Sequence, residues 1–139
     1  MFKTIIAAVD GSERSWQALK SAKSLAVNYN AKLVVVHVYP HTSDLHDFEG
    51  YEKLLAQRKG AGEQILKTGR QIIEGNDLEW EFDLLEGPAA DAILSVAEVR
   101  NADLIVLGTR GMGTIKGLLF GSIATKVSHH APCSVLVVR

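Results

Sequence analysis

The sequence lacks most features that staple, anchor or electrically load a protein. It has one cysteine, Cys133, in 139 residues. A single thiol excludes an internal disulfide framework and a cysteine-rich zinc site, and it fits a reducing compartment. A basic excess is missing: 15 Lys and Arg face 16 Asp and Glu, for a net charge of −1. Proteins that hold nucleic acid mainly through its phosphates carry a clear positive surplus, so that partner class is set aside. Long apolar runs are missing too. The longest aliphatic stretch, residues 5–9, is five residues long, far short of the roughly 20 that span a bilayer. The opening Met-Phe-Lys-Thr runs straight into it, so no signal peptide is expected. The expectation is a soluble cytoplasmic protein that engages no membrane.

Two familiar phosphate motifs are absent as well. No Gly-Lys-Ser or Gly-Lys-Thr occurs, which removes a P-loop. The dinucleotide fingerprint needs Gly-x-Gly-x-x-Gly directly after the first strand. Gly111-x-Gly113-x3-Gly117 is one residue too long and comes after the fourth, so a Rossmann dehydrogenase is not expected.

What is present is 47% apolar residues and an orderly alternation of short and long patterns. The length fits one domain, residues 1–139. A chain of this size buries roughly two thirds of its unfolded surface and needs no staple. Residues 4–9 form a compact apolar block closed by Asp10-Gly11-Ser12. Trp16, Leu19, Ala22, Leu25, Ala26 and Tyr29 then recur at helical spacing, with Ser12 as cap, Glu13 in the first turn and Asn30 at the end. Residues 33–39 carry four valines and stop at Pro40. Residues 41–50 are polar and aperiodic, a connecting loop.

A second helical face runs from Tyr51 to Ile73 and contains Gly62 and Gly69. Gly60 and Gly62 predict a kink or break there, and the two face glycines fit close approach to a sheet. Residues 79–86 alternate, with Trp80, Phe82 and Leu84 on one side and Glu79, Glu81 and Asp83 on the other, which predicts an edge strand. Gly87-Pro88 opens a third helix with proline at the first helical position. Residues 104–107 are a wholly apolar strand, residues 123–130 a fourth helix before Pro132, and residues 135–138 a fifth strand. Strands alternating with helices predict an α/β fold: an open five-stranded parallel sheet with helices on both faces.

In such a sheet the binding crevice lies at the carboxyl ends of the strands, where strand order reverses. Order 2-1-3-4-5 would expose Asp10 and Glu86-Gly87; order 3-2-1-4-5 would expose Asp10 and Gly108. Five glycines fall between 108 and 121 (Gly108, Gly111, Gly113, Gly117 and Gly121), and nothing comparable follows the third strand, so the second order is favoured. Gly121-Ser122 opens a helix, where the amides of Ser122, Ile123 and Ala124 have no partners inside the helix and the dipole adds positive charge. That makes an anion site, to which Ser122 adds a hydroxyl and Arg110 a guanidinium. The competing reading is a glycine loop ending in an ordinary N-cap serine.

These residues resemble the universal stress protein family, over essentially the whole chain. The likeness rests on Ile5-Ile-Ala-Ala-Val-Asp10-Gly-Ser12, on Ala102-Asp-Leu-Ile-Val-Leu-Gly-Thr-Arg-Gly111, and on Gly121-Ser122 through His130-Ala-Pro-Cys-Ser-Val-Leu-Val-Val138. The spacing Gly108-x2-Gly111-x9-Gly121-Ser122 matches the signature of its ATP-binding branch. The resemblance implies a Rossmann-like sheet of order 3-2-1-4-5, of the adenine nucleotide alpha hydrolase type. It also implies a stress-response homodimer joined through the last strand (Val135-Leu-Val-Val138), and ATP, ADP or AMP as ligand. By position, Ala8, Val9 and Asp10 come from strand 1, and Val38 meets adenine from strand 2. Leu107, Gly108, Arg110 and Gly111 follow strand 4, while Gly121, Ser122, Ile123 and Ala124 hold phosphate. Asp10 serves ribose hydroxyls or a divalent cation, Mg²⁺ with the nucleotide.

No general base, carboxylate pair or nucleophile–His arrangement is visible, so no dedicated catalytic step is assigned; slow ATP hydrolysis is compatible with the residues. The alternatives are an interaction or chaperone-like dimer that binds no nucleotide or senses AMP, and an adenylate-forming enzyme, for which the chain is short of a substrate domain.

The other candidates read as structural. His37 sits among valines as a hydrogen-bonded core histidine. His41, Asp44, His46, Asp47 and Glu49 read as solvated loop groups, not a metal site. His129 and His130 suit a helix end, Cys133 reads as buried and inert, and Lys116 and Lys126 as surface groups, Lys116 within reach of a triphosphate.

Overall fold

The computed structural model describes residues 1–41, 49–109 and 120–139. The elements are β1 (Thr4–Ala8), α1 (Glu13–Tyr29), β2 (Lys32–Tyr39), α2 (Tyr51–Ile73), β3 (Trp80–Glu86), α3 (Ala89–Val99), β4 (Leu104–Gly108), α4 (Ser122–His130) and β5 (Ser134–Val138). All strands are parallel, in the order β3-β2-β1-β4-β5, as the glycine-rich stretch after residue 107 predicts. The strand order reverses between β1 and β4, where Ile5, Ile6 and Ala7 pair in parallel with Leu104, Ile105 and Val106.

Alternation along the central strands divides the core in two. Ile5, Ala7, Leu33, Val35 and Val106 face Leu19, Ala22 and Ile73 of α1 and α2. Ile6, Val34, Val36, Ile105 and Leu107 face Ile93 and Ala97 of α3 and Ala124 and Val127 of α4. Each fully buried aliphatic side chain contributes about 1.5–3 kcal/mol relative to exposure, so the two layers carry most of the stability. Small residues on α1 (Ala18, Ala22 and Ala26, all buried) let the helix lie close to the strands.

Helix ends follow local chemistry. The Ser12 hydroxyl accepts the Ser15 amide at 3.2 Å to cap α1, and Asn30 closes it in the left-handed region at φ 53°. Two sequence expectations need correction. The helix α2 runs unbroken through Gly60 and Gly62. Gly62 and Gly69 do bring it against the sheet: a Cβ on Gly62 would stand 2.7 Å from Leu84 Cδ1, and one on Gly69 3.0 Å from Phe82 Cζ. Pro88 is not the first helical residue but the N-cap, at φ −68° and ψ 142°, with its carbonyl accepting from the Ala92 amide at 3.0 Å. The fixed proline φ serves either position, and the extended ψ decides.

The edge strand β3 has its acidic side partly closed. Arg100, at the end of α3, donates to both Asp83 oxygens at 3.1 and 3.0 Å and pairs with Glu81, while Lys32 reaches Glu81 at 3.1 Å. Burial raises the Asp83 carboxyl above its ordinary range, against a smaller downward pull from Lys32. No helix among the described residues is long and apolar enough to cross a membrane.

Candidate functional site

The carboxyl ends of β1 and β4 and the start of α4 meet at the switch point. Past Ala8, β1 continues its pairing through the Val9 amide, which donates to Val36 O at 2.9 Å. The chain then turns at Gly11, φ 89°, and Asp10 Oδ1 accepts the Ser12 amide at 2.9 Å. Asp10 is half-buried past the carboxyl end of β1, with one oxygen committed to starting α1. Val38, two residues beyond the Ala8–Val36 pair, reaches the level of Asp10, and Ala8 and Val38 both pack toward the α3–α4 layer.

On the other side, Leu107 is buried and Gly108 ends β4. A Cβ on Gly108 would lie 3.1 Å from Arg14 Cβ and 3.2 Å from the Arg14 carbonyl carbon, so this glycine admits the first turn of α1. That role was hidden in the sequence, because Arg14 and Gly108 lie far apart along the chain. The positive-φ glycines among the described residues are Gly11, Gly50 and Gly75. Gly108 thus acts through small size and not through backbone sign. Arg110, Gly111 and Lys116 lie outside the described residues, as do Asp44, His46 and Asp47.

The start of α4 is fixed to β4: the Gly121 amide donates to Thr109 O at 2.6 Å, and the Thr109 amide donates to Val138 O at 2.9 Å. Gly121 is the N-cap, at φ −75° and ψ 169°, which corrects the reading of Ser122 as an N-cap serine; Ser122 is the first helical residue and is exposed. The Thr125 amide returns to Gly121 O at 3.0 Å, so Ser122, Ile123 and Ala124 carry the amides that a helix cannot satisfy internally. Ala124 is buried in the core and offers only its backbone, whereas Ile123 is 38% exposed. The first turns of α1, α2 and α3 contain Glu13, Glu52 and Asp91, but that of α4 contains no acid and no described side chain caps it. An acid at this position would offset the helix dipole; without one, the partial positive charge faces outward.

The remaining candidates fall elsewhere. His37 is buried and its Nδ1 lies 2.8 Å from Val9 O, the core histidine expected. His41 approaches Glu86 at 3.7 Å, and Arg58 donates to the Pro40 and His41 carbonyls at 3.2 Å each, an arrangement at the end of β2 that composition alone did not reveal. Lys126 pairs with Asp91 at 2.9 Å. Burial, then the Asp103 charge, raises the Cys133 thiol, which opposes reactivity. Among the described residues no three His, Cys, Asp or Glu side chains come together as a metal site.

The Universal stress protein family model matches residues 1–139. A Thermus aquaticus relative, "Universal stress protein in QAH/OAS sulfhydrylase 3'region", is 40% identical over 139 residues, with both chains covered in full. Universal stress protein UspA from Lactobacillus plantarum superposes with a TM-score of 0.87 at 25% identity, over 99% of this chain and 97% of that one. A universal stress protein from Archaeoglobus fulgidus in complex with dAMP matches at TM-score 0.76 and 25% identity, over 100% and 98% of the two chains. A universal stress protein in complex with cAMP matches at TM-score 0.75 and 26% identity, over 99% and 97%. With the motifs, the sheet order and the whole-length match in agreement, the chain belongs to the universal stress protein family.

Proposed function

We propose that the chain binds an adenine nucleotide, ATP or its ADP and AMP counterparts, at the crevice between β1 and β4. The observation that carries this reading is the start of α4: amides on Ser122, Ile123 and Ala124, a glycine at the cap and no acid in the first turn. Its complement is an anion, and a phosphate chain is the anion that also explains a glycine-rich stretch leaving β4. Gly121, Ser122, Ile123 and Ala124 hold the phosphates through main-chain donors; the family resemblance adds Arg110 and Gly111, which lie outside the described residues. Ala8, Val9, Val38, Leu107 and Gly108 border the nucleoside, Val38 against adenine. Asp10 takes the ribose hydroxyls or a Mg²⁺ shared with the phosphates. One carboxylate fits Mg²⁺, which commonly binds one or two protein carboxylates and completes its shell with phosphate and water. Two family members of similar fold in complex with dAMP and cAMP support adenine nucleotide as the ligand class.

The role that follows is regulatory: a nucleotide-responsive dimer in the cytoplasm, with any ATP hydrolysis slow. Thermal unfolding tests it. ATP at about 100 times its dissociation constant adds about 2.7 kcal/mol by mass action and raises the melting temperature by several degrees. Gly121→Val, whose backbone angles suit any residue, abolishes the shift and leaves the fold intact. Absence of a shift with millimolar ATP, ADP and AMP would instead support an interaction module that binds no nucleotide.

A further inference from the structure

We propose that His37 is a positioning residue for the nucleotide crevice, acting through the Val9–Asp10 peptide; the inference rests on the nucleotide reading above. His37 lies on β2, buried to 8% exposure, and its Nδ1 stands 2.8 Å from the Val9 carbonyl oxygen. A carbonyl only accepts, so Nδ1 carries the hydrogen and the tautomer is fixed. The Val9 amide already donates to Val36 O at 2.9 Å. Both polar groups of Val9 are therefore held by β2, one by the ladder and one by a side chain that extends the ladder past its last strand pair.

The consequence passes along the chain. A trans peptide sets the N–H of residue 10 antiparallel to the C=O of residue 9. Holding the Val9 carbonyl toward β2 turns the Asp10 amide away from β2, on the side where β1 adjoins β4. The same plane sets where the Asp10 side chain begins before the turn at Gly11. Gly62 of α2 makes room for the ring: a Cβ there would stand 3.2 Å from His37 Cδ2. The imidazole thus lies between the end of β1 and α2, in space that a side chain at position 62 would crowd.

A pair of isosteric amides separates positioning from packing. In His37→Asn the amide nitrogen falls where Nδ1 was and restores the bond to Val9. In His37→Gln it falls near Nε2 and does not. The expected result by calorimetric titration with ATP is affinity within about twofold of wild type for Asn, and a loss of about tenfold or more for Gln, on the scale of one hydrogen bond. Equal affinities in the two variants, with wild type binding, would overturn the role of His37 while leaving the nucleotide reading intact. Failure of wild type to bind ATP would remove both. If either variant does not fold, the wild-type protein supplies the test by nitrogen-edited NMR. Because coupling is reciprocal, bound ATP should slow solvent exchange of the His37 Nδ1 proton by at least about tenfold. Unchanged exchange would refute the proposal.

Discussion

Gly60 and Gly62 stand two residues apart in α2 and meet opposite surroundings. A Cβ on Gly60 meets nothing within 4 Å, whereas one on Gly62 meets Leu84 Cδ1 at 2.7 Å and His37 Cδ2 at 3.2 Å. Gly60→Ala therefore stabilises the protein by about 0.5–1 kcal/mol, the conformational cost of glycine in a helix interior. Gly62→Val destabilises it by about 1–3 kcal/mol through overpacking. Urea midpoints at constant m-value measure both, and midpoints moving in the same direction would contradict the assigned packing. The sequence placed both glycines in one helical segment and marked Gly62 as facing the sheet. It could not separate their roles, because the discriminating atoms belong to β2 and β3.

Strand and helix ends are joined by side chains that replace missing backbone partners, and the clearest case is acid-sensitive. Asp103 precedes β4 and its Oδ2 accepts the Lys3 and Thr4 amides at 2.8 and 2.9 Å, while its own amide donates to Thr4 O at 2.9 Å. The Thr4 and Lys3 bonds hold its carboxyl below the ordinary range. A depressed folded value means that the stabilisation is complete above the unfolded value of about 4 and is lost as pH falls through the lower folded one. Asp103→Asn keeps an acceptor but no titration, so wild type loses more stability than the variant between pH 5 and pH 2 (denaturation midpoints at each pH show it). Asp83, raised by burial, works in the opposite sense, and because both proteins contain it the comparison is unaffected. Elements themselves were well marked: the Ser12 cap, the Asn30 stop, the Pro40 strand end and the edge character of β3 all follow from local chemistry. The Pro88 boundary slipped by one residue because proline accepts the N-cap and first-turn positions equally well in φ.

At the scale of the whole molecule, β3 and β5 are the open edges of the sheet. Charge protects β3, where Arg100 and Lys32 cover Glu81 and Asp83. Among the described residues no ion pair covers the apolar β5, and Leu136 is 37% exposed. An unprotected apolar edge invites pairing with another chain. The proposed dimer through residues 135–138 predicts that Leu136→Lys halves the sedimenting mass; an unchanged mass would place the contact elsewhere. Element order, strand order and the start of α4 beyond β4 were legible in the residues alone, because apolar periodicity, capping chemistry and turn residues act over short stretches of chain. It took the folded chain to show that Gly108 makes room for Arg14, that Gly121 and not Ser122 caps α4, that Arg100 closes the acidic side of β3, and that His37 holds Val9. Each of these depends on which distant residue the sheet brings alongside, and hydrophobic patterning fixes the face a side chain takes but not the neighbour it meets there.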